Sequence, residues 1–189
     1  MTKFETALKK YLDIFASQEM YFVNDQKNLD LFKKTPGNKD AEDIRVKVSA
    51  VNDKEISDLG ILENVVGHIQ NLNIDDRLKK NDLTLVEDIA NLSVGARAHR
   101  VLHFASVYCN FHKPDNYPIY SEQYLDFYRK YIAEYKLPLD PQKIDTYDTF
   151  TKALFDLVKR LGLAGKMNFL HLRKFAWLYA EHVVKEAAA

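Results

Sequence analysis

Glycine and proline supply only 6 and 5 of the 189 residues, and no other feature constrains the fold as much. A chain built from strands turns every few residues and uses both residue types to do it. A chain this poor in both must run in long uninterrupted segments, and its apolar residues recur at three and four. Phe4, Ala7, Leu8, Tyr11, Leu12 and Phe15 mark one helix face. Thr2 and Glu5 are spaced as a capping box at its start.

The same spacing continues along the chain. Ile44, Val48 and Val51 suggest a short helix after the break at Pro36-Gly37-Asn38, and Leu59, Leu62, Val66 and Ile69 place another over about 57–72. Thr84 and Glu87 match a second capping box ahead of Val86, Ile89, Ala90 and Leu92. The pattern predicts helix from Val94 to Phe111, stopped by Pro114 and Pro118. Further helices are expected over Ser121–Tyr135, Thr146–Leu161 and Met167–Val184. The last is apolar around most of its circumference, as a largely buried C-terminal helix would be. The expected fold is all-α, a bundle of about seven or eight helices forming one domain over residues 1–189. Residues 24–58 are polar and are the expected site of a mobile segment within it.

The hydrophobic share, 47%, suffices for a real core and excludes wholesale disorder. One cysteine, Cys109, excludes an internal disulfide framework and any multi-cysteine zinc site; it is expected to be a buried structural thiol. No run approaches eighteen apolar residues and no apolar leader pattern is visible, so the expectation is a cytoplasmic protein without membrane association. No Walker A loop, nucleophile elbow or dinucleotide fingerprint occurs, and no cofactor is expected.

Lys plus Arg and Asp plus Glu both number 27, but the balance is uneven locally. Ile89 to Pro114 contains no acidic residue while holding Arg97, Arg100 and Lys113. Leu157 to Ala180 also contains none and holds Lys159, Arg160, Lys166, Arg173 and Lys174. Side by side, the two stretches would form a basic face suited to phosphates; apart, they are ordinary solvated surfaces. Six of the eleven tyrosines lie between Tyr117 and Tyr135. Tyr120, Tyr124, Tyr128, Tyr131 and Tyr135 recur at helical spacing, as a core stripe or as a platform for stacking bases. Gly162-Leu163-Ala164-Gly165-Lys166 reads as a turn between helices, too short for a P-loop.

Candidate chemistry is sparse. His99 and His103 would sit one helical turn apart and are the metal-ligand candidates, with no third ligand readable. His103, His112, Tyr120 and Glu122 could surround a pocket at the Pro114–Pro118 loop as acid–base groups, but no nucleophile–base pair is legible.

The run Leu92-Ser93-Val94-Gly95-Ala96-Arg97-Ala98-His99-Arg100-Val101-Leu102-His103-Phe104-Ala105-Ser106, followed by Pro114 and Tyr117-Pro118-Ile119-Tyr120, resembles one segment of the helix-hairpin-helix DNA glycosylase superfamily. It more closely resembles poorly characterised bacterial helical proteins with a small-Ser-Lys, helix, His-Phe, Pro, Pro-Ile-Tyr-Asp pattern. Leu172-Arg173-Lys174-Phe175-Ala176-Trp177 extends the likeness. In the glycosylases a glycine-bearing hairpin holds a DNA phosphate and a later aspartate takes part in base excision. Here only Gly95 is present in the hairpin, Ser121 stands where the aspartate would be, and Glu122 and Asp126 do not match the motif. The resemblance therefore implies helical architecture and a binding groove, not base excision. The leading expectation is a non-catalytic nucleic-acid-binding module, with DNA or RNA as partner through the eight basic residues named above. The alternatives are a module for a protein partner or a homodimer, and an enzyme with a pocket lined by His and Tyr.

Overall fold

The computed structural model describes residues 23–51, 56–57, 60–160, 162–165 and 167–174. They are mostly helical, with one two-stranded sheet. The chain divides into two compact units, one of residues Asn24–Tyr120, the other of Met1–Val23 with Ser121–Ala189. The helix expected over residues 4–15 and most of the expected C-terminal helix lie outside the described residues.

In the first unit, α1 spans Val23–Lys34 and α2 Ala41–Val51. The Pro36-Gly37-Asn38 break separates them, and Asp40 Oδ1 starts α2 by accepting from the amides of Glu42 and Asp43, at 2.9 and 3.1 Å. Four residues of α2 are buried, Ile44, Lys47, Val48 and Val51, so a lysine occupies the apolar stripe. α3, Leu62–Leu72, packs on α2 and buries Val65, Val66 and Ile69. Arg45 and Glu63 clamp the pair on its exposed side through two 2.8 Å bonds. A left-handed Asn73 (φ +48°) ends α3. The short α4, Asp75–Lys79, and α5, Thr84–Ala90, follow.

The expected Thr84–Glu87 capping box does not form. Asp82 takes the role instead, its Oδ1 accepting from the Thr84 amide at 3.0 Å and hydroxyl at 2.7 Å. Arg77 then ties Asp82 and Asp88 together at 2.7 Å each.

The largest departure from the sequence reading lies at 91–100. The helix expected from Val94 is a β-hairpin, β1 (Asn91–Val94) paired antiparallel with β2 (Arg97–Arg100) in the register Asn91↔Arg100 and Val94↔Arg97. Gly95 opens its two-residue turn at φ +60°, a conformation that favours glycine and that a type II′ hairpin uses at this position. Leu92 is buried while Asn91 and Ser93 are exposed, the alternation of a half-buried strand. Helix resumes as α6, Leu102–His112, which packs on α5 and also contacts α2. Nine of its residues, Leu102 and Phe104 through Phe111, are buried, Cys109 among them. Burial pushes the Cys109 thiol far up from its ordinary value, as expected for a structural cysteine.

In the second unit, a 3-10 turn (Glu122–Tyr124) leads into α7, Leu125–Glu134. A second such turn, Pro141–Lys143, precedes α8, Tyr147–Arg160, which packs on α7. Tyr124, Tyr128, Tyr131, Tyr147 and Phe150 are buried, with Tyr128 and Phe150 edge-to-face at 5.1 Å. The tyrosine stripe is therefore core, and Tyr120, Tyr124, Tyr128 and Tyr131 present no stacking platform to solvent. At its edge the Tyr131 hydroxyl donates to Asp156 Oδ2 and Arg160 Nε donates to the same oxygen, both at 2.6 Å. Gly162 and Gly165 adopt positive φ in the turn after α8, as expected for a connection between helices. Residues 169–174 begin another helix.

Candidate functional site

Asn38, 1% exposed, is the hub of the first unit. Its Nδ2 donates to Asp75 Oδ1 at 2.8 Å and its backbone N–H to Asp75 Oδ2 at 3.3 Å. Because a carboxylate only accepts, Asp75 fixes the orientation of the amide. The Asn38 Oδ1 that faces the other way accepts from Lys47 Nζ at 2.7 Å and the Tyr108 hydroxyl at 2.6 Å, with His112 Nε2 at 3.3 Å. Four elements meet there: the 35–40 loop, α2, the start of α4 and the end of α6.

Lys47 is wholly buried, and three oxygens saturate its ammonium group: Thr35 O at 3.0 Å, Gly37 O at 2.6 Å and Asn38 Oδ1. Burial draws its pKa down to about 8, while Asp75 and Asp43 pull the other way. Its Nζ also lies 5.8 Å from the centre of the Phe32 ring and 5.9 Å from that of Tyr108. Phe32 packs edge-on against Tyr108 at 5.3 Å and His112 at 4.8 Å. Burial, reinforced by Lys47 and opposed by Asp75, pushes His112 down to about 3. Burial raises the Tyr108 hydroxyl far above its ordinary value.

Above the hub opens a cleft of about 340 Å³. Pro36 and Gly37 form one wall, Asp75, Leu78 and Lys79 of α4 another, and His112 and Lys113 the third. Lys79 pairs with Asp76 at 3.2 Å in solvent, a weak contact. Among the described residues the Lys113 side chain has no partner.

The residues singled out from sequence are distributed as follows. His112 and Lys113 line the cleft. Arg97 and Arg100 lie on β2, where Arg97 is exposed and Arg100 makes two 3.0 Å bonds to Glu87. His99 is on β2 and His103 on α6, so they do not share a helix turn, and the described residues contain no group of three metal-ligating side chains. His103 Nδ1 lies 2.6 Å from the Tyr120 carbonyl, and Tyr120 N donates to Ser106 Oγ at 2.9 Å. These bonds seat the 114–120 segment on α6. Glu122, Lys159, Arg160, Arg173 and Lys174 belong to the other unit, Arg160 bonded to Asp156. Lys166 lies outside the described residues.

Asn38, Lys47 and Asp75 escaped the sequence reading. The usable signal was Lys47, which falls three residues after Ile44 on the Ile44, Val48, Val51 stripe, where a leucine would be ordinary.

The HI_0787_N family model, an N-terminal domain, matches residues 7–116, a span that includes every hub and cleft residue. An uncharacterized protein of Haemophilus influenzae is 26% identical over 123 residues, 63% of this chain and 57% of that protein. The matched region thus spans little more than half of that relative. No solved structure matches the chain. The expected likeness to an uncharacterised bacterial protein is supported by these matches, whereas no helix-hairpin-helix segment is shown: residues 91–100 form a β-hairpin.

Proposed function

The chain belongs to the HI_0787_N family, and we propose that its N-terminal unit is a binding module, with the cleft over Asn38 as its ligand site. The observation that carries this reading is a buried network of directed hydrogen bonds that lies beneath an open cleft. Such networks are costly to bury unless fully paired, and they hold a rigid template of donors and acceptors. Acid–base catalysis needs a group that exchanges its proton near the working pH. His112, pushed down to about 3, is uncharged across the neutral range. Lys47 has all three protons engaged, and the Tyr108 hydroxyl is held protonated. Lys47, drawn down to about 8, is the member that titrates near the working pH, and its Nζ is enclosed by Thr35, Gly37 and Asn38 rather than presented to the cleft.

The test is a titration with a panel of small polar fragments, followed through the amide signals of Gly37, Asp75, Lys79 and Lys113. Saturable shifts confined to these residues are expected. If no fragment moves them at millimolar concentration, the reading fails.

A second reading, nucleic-acid binding, rests on Arg97, which is exposed on the half-buried two-stranded ribbon and has no partner among the described residues. Two-stranded ribbons fit the major groove. Anisotropy with short DNA and RNA duplexes should then weaken steeply with salt, and Arg97→Ala should reduce the slope. Salt-independent binding would sink it. Reading the chain as a protein-partner module has less support: the large apolar residues exposed among those described are Val46 and Phe155, too few for a contiguous patch.

A further inference from the structure

We infer that the ligand of the cleft is a small anion that also carries N–H donors, an amino-bearing phosphate compound being the simplest case. The inference rests on the cleft being a binding site, as proposed above, and goes further by fixing the chemistry of the two ends of the ligand.

Asp75 accepts from Asn38 Nδ2 at 2.8 Å. That bond turns Asn38 Oδ1 toward Lys47, Tyr108 and His112, so each of the three must donate to it. His112 therefore carries its proton on Nε2, and Nδ1 bears a lone pair. Among the described residues nothing bonds to that nitrogen, and His112 lines the cleft. Asp75 lines the same cleft with a carboxylate that still has lone pairs beyond those Asn38 occupies. This side of the cleft thus presents acceptors, and its natural complement is an N–H group.

The opposite requirement comes from the rim. Lys113 and Lys79 line the cleft as well, and Lys47 lies behind its wall. Lys79 is engaged with Asp76 and Lys47 is bonded to three oxygens, so Lys113, without a partner among the described residues, is the cation left for an anionic group of the ligand. Pro36 and Leu78 give the site an apolar side, which suits a flat ring such as an aminated nucleobase. The volume, about 340 Å³, falls in the lower part of the range of small-molecule sites.

The experiment uses the full chain and four probes: adenosine 5′-monophosphate, adenosine, phosphoethanolamine and inorganic phosphate. Affinities are read by calorimetry, and the His112 ring nitrogens are read by long-range proton–nitrogen spectra. The expected result is that adenosine 5′-monophosphate binds at least about tenfold more tightly than either adenosine or phosphate, and that Lys113→Ala, a surface change, weakens it about tenfold. Phosphoethanolamine equal to the nucleotide would uphold the amine-plus-anion chemistry and assign the ligand to the ring-free source; a weaker result assigns it to the nucleotide source. Inorganic phosphate as tight as both would overturn the donor requirement while leaving the cleft a binding site. A proton on His112 Nδ1 in the free protein would overturn the inference without any variant. If none of the four probes binds while the fragment panel still shifts the cleft amides, the inference falls and the binding reading stands.

Discussion

The two compact units bury their aromatic residues for different ends. In residues 121–174, Tyr128 and Tyr147 pack against Phe150 as apolar bulk, and polar contacts such as Tyr131–Asp156–Arg160 lie at the edge. In residues 24–120, Phe32 and Tyr108 instead wall in a lysine, a histidine and an asparagine that hold one another by directed bonds. Apolar packing tolerates substitution when volume is kept. A buried polar network does not, because each lost partner strands another group. The same residue type should therefore respond differently in the two places.

The harshest way to break the comparison is Asn38→Ala. It removes one of the three Lys47 acceptors, the acceptor of the Tyr108 hydroxyl and the side-chain donor to Asp75, and should cost the 24–120 unit about 4 kcal/mol. Urea titration read by hydrogen exchange in each unit would check it; a loss under about 1 kcal/mol would mean that water replaces the amide without penalty.

Acid is the next lever. His112 has a folded pKa of about 3, below its unfolded value near 6.5. Between those values the unfolded chain binds a proton that the folded one refuses. The contribution of His112 to stability is thus complete above about pH 6.5 and falls by about 1.4 kcal/mol per unit as pH drops toward 3. Exchange rates of 24–120 amides between pH 6.5 and 4.5 should carry that slope. A His112→Gln variant, which keeps an N–H for Asn38 Oδ1, should flatten it; an unchanged slope would place the titration elsewhere.

A matched pair sharpens the contrast further. Tyr108→Phe removes the 2.6 Å bond to Asn38 and should cost about 1.5 kcal/mol. Tyr128→Phe, in the aromatic core, should stay within about 0.5 kcal/mol. Equal losses by thermal melting would erase the distinction between the units. Smallest of all, Arg100→Ala should cost about 0.5 kcal/mol, since its pair with Glu87 is partly solvated. A loss above about 1.5 kcal/mol would mean that this contact anchors the hairpin to α5.

Apolar spacing revealed most of the helices. Ile44, Val48 and Val51, and likewise Val66 and Ile69, lie buried where their periodicity puts them. The core reading of the tyrosines followed from the same arithmetic. Residues 91–100 misled it because Ala96, Arg97, Ala98 and Arg100 are strong helix formers, while one two-residue turn at Gly95 decides for strands. Propensity is a weak prior, and turn geometry together with the burial of Leu92 outweighs it here. The hub was illegible for another reason: Asn38 and Asp75 are separated by 37 residues, and Tyr108 and Asn38 by 70. No local pattern encodes a meeting of that kind. Only the lysine in an apolar stripe hinted that something polar had to await it.

The single thiol of the chain offers a last consequence. Cys109 follows Tyr108 on α6, is fully enclosed and is held protonated by its surroundings. In the native state it should be inert toward alkylating reagents, which attack the thiolate. Each successful modification then records an excursion in which α6 has opened and the chemistry around Asn38 has come apart. Labelling kinetics at this one sulfur would clock how often the ligand-site scaffold breathes, and a bound ligand would announce itself as a slower clock.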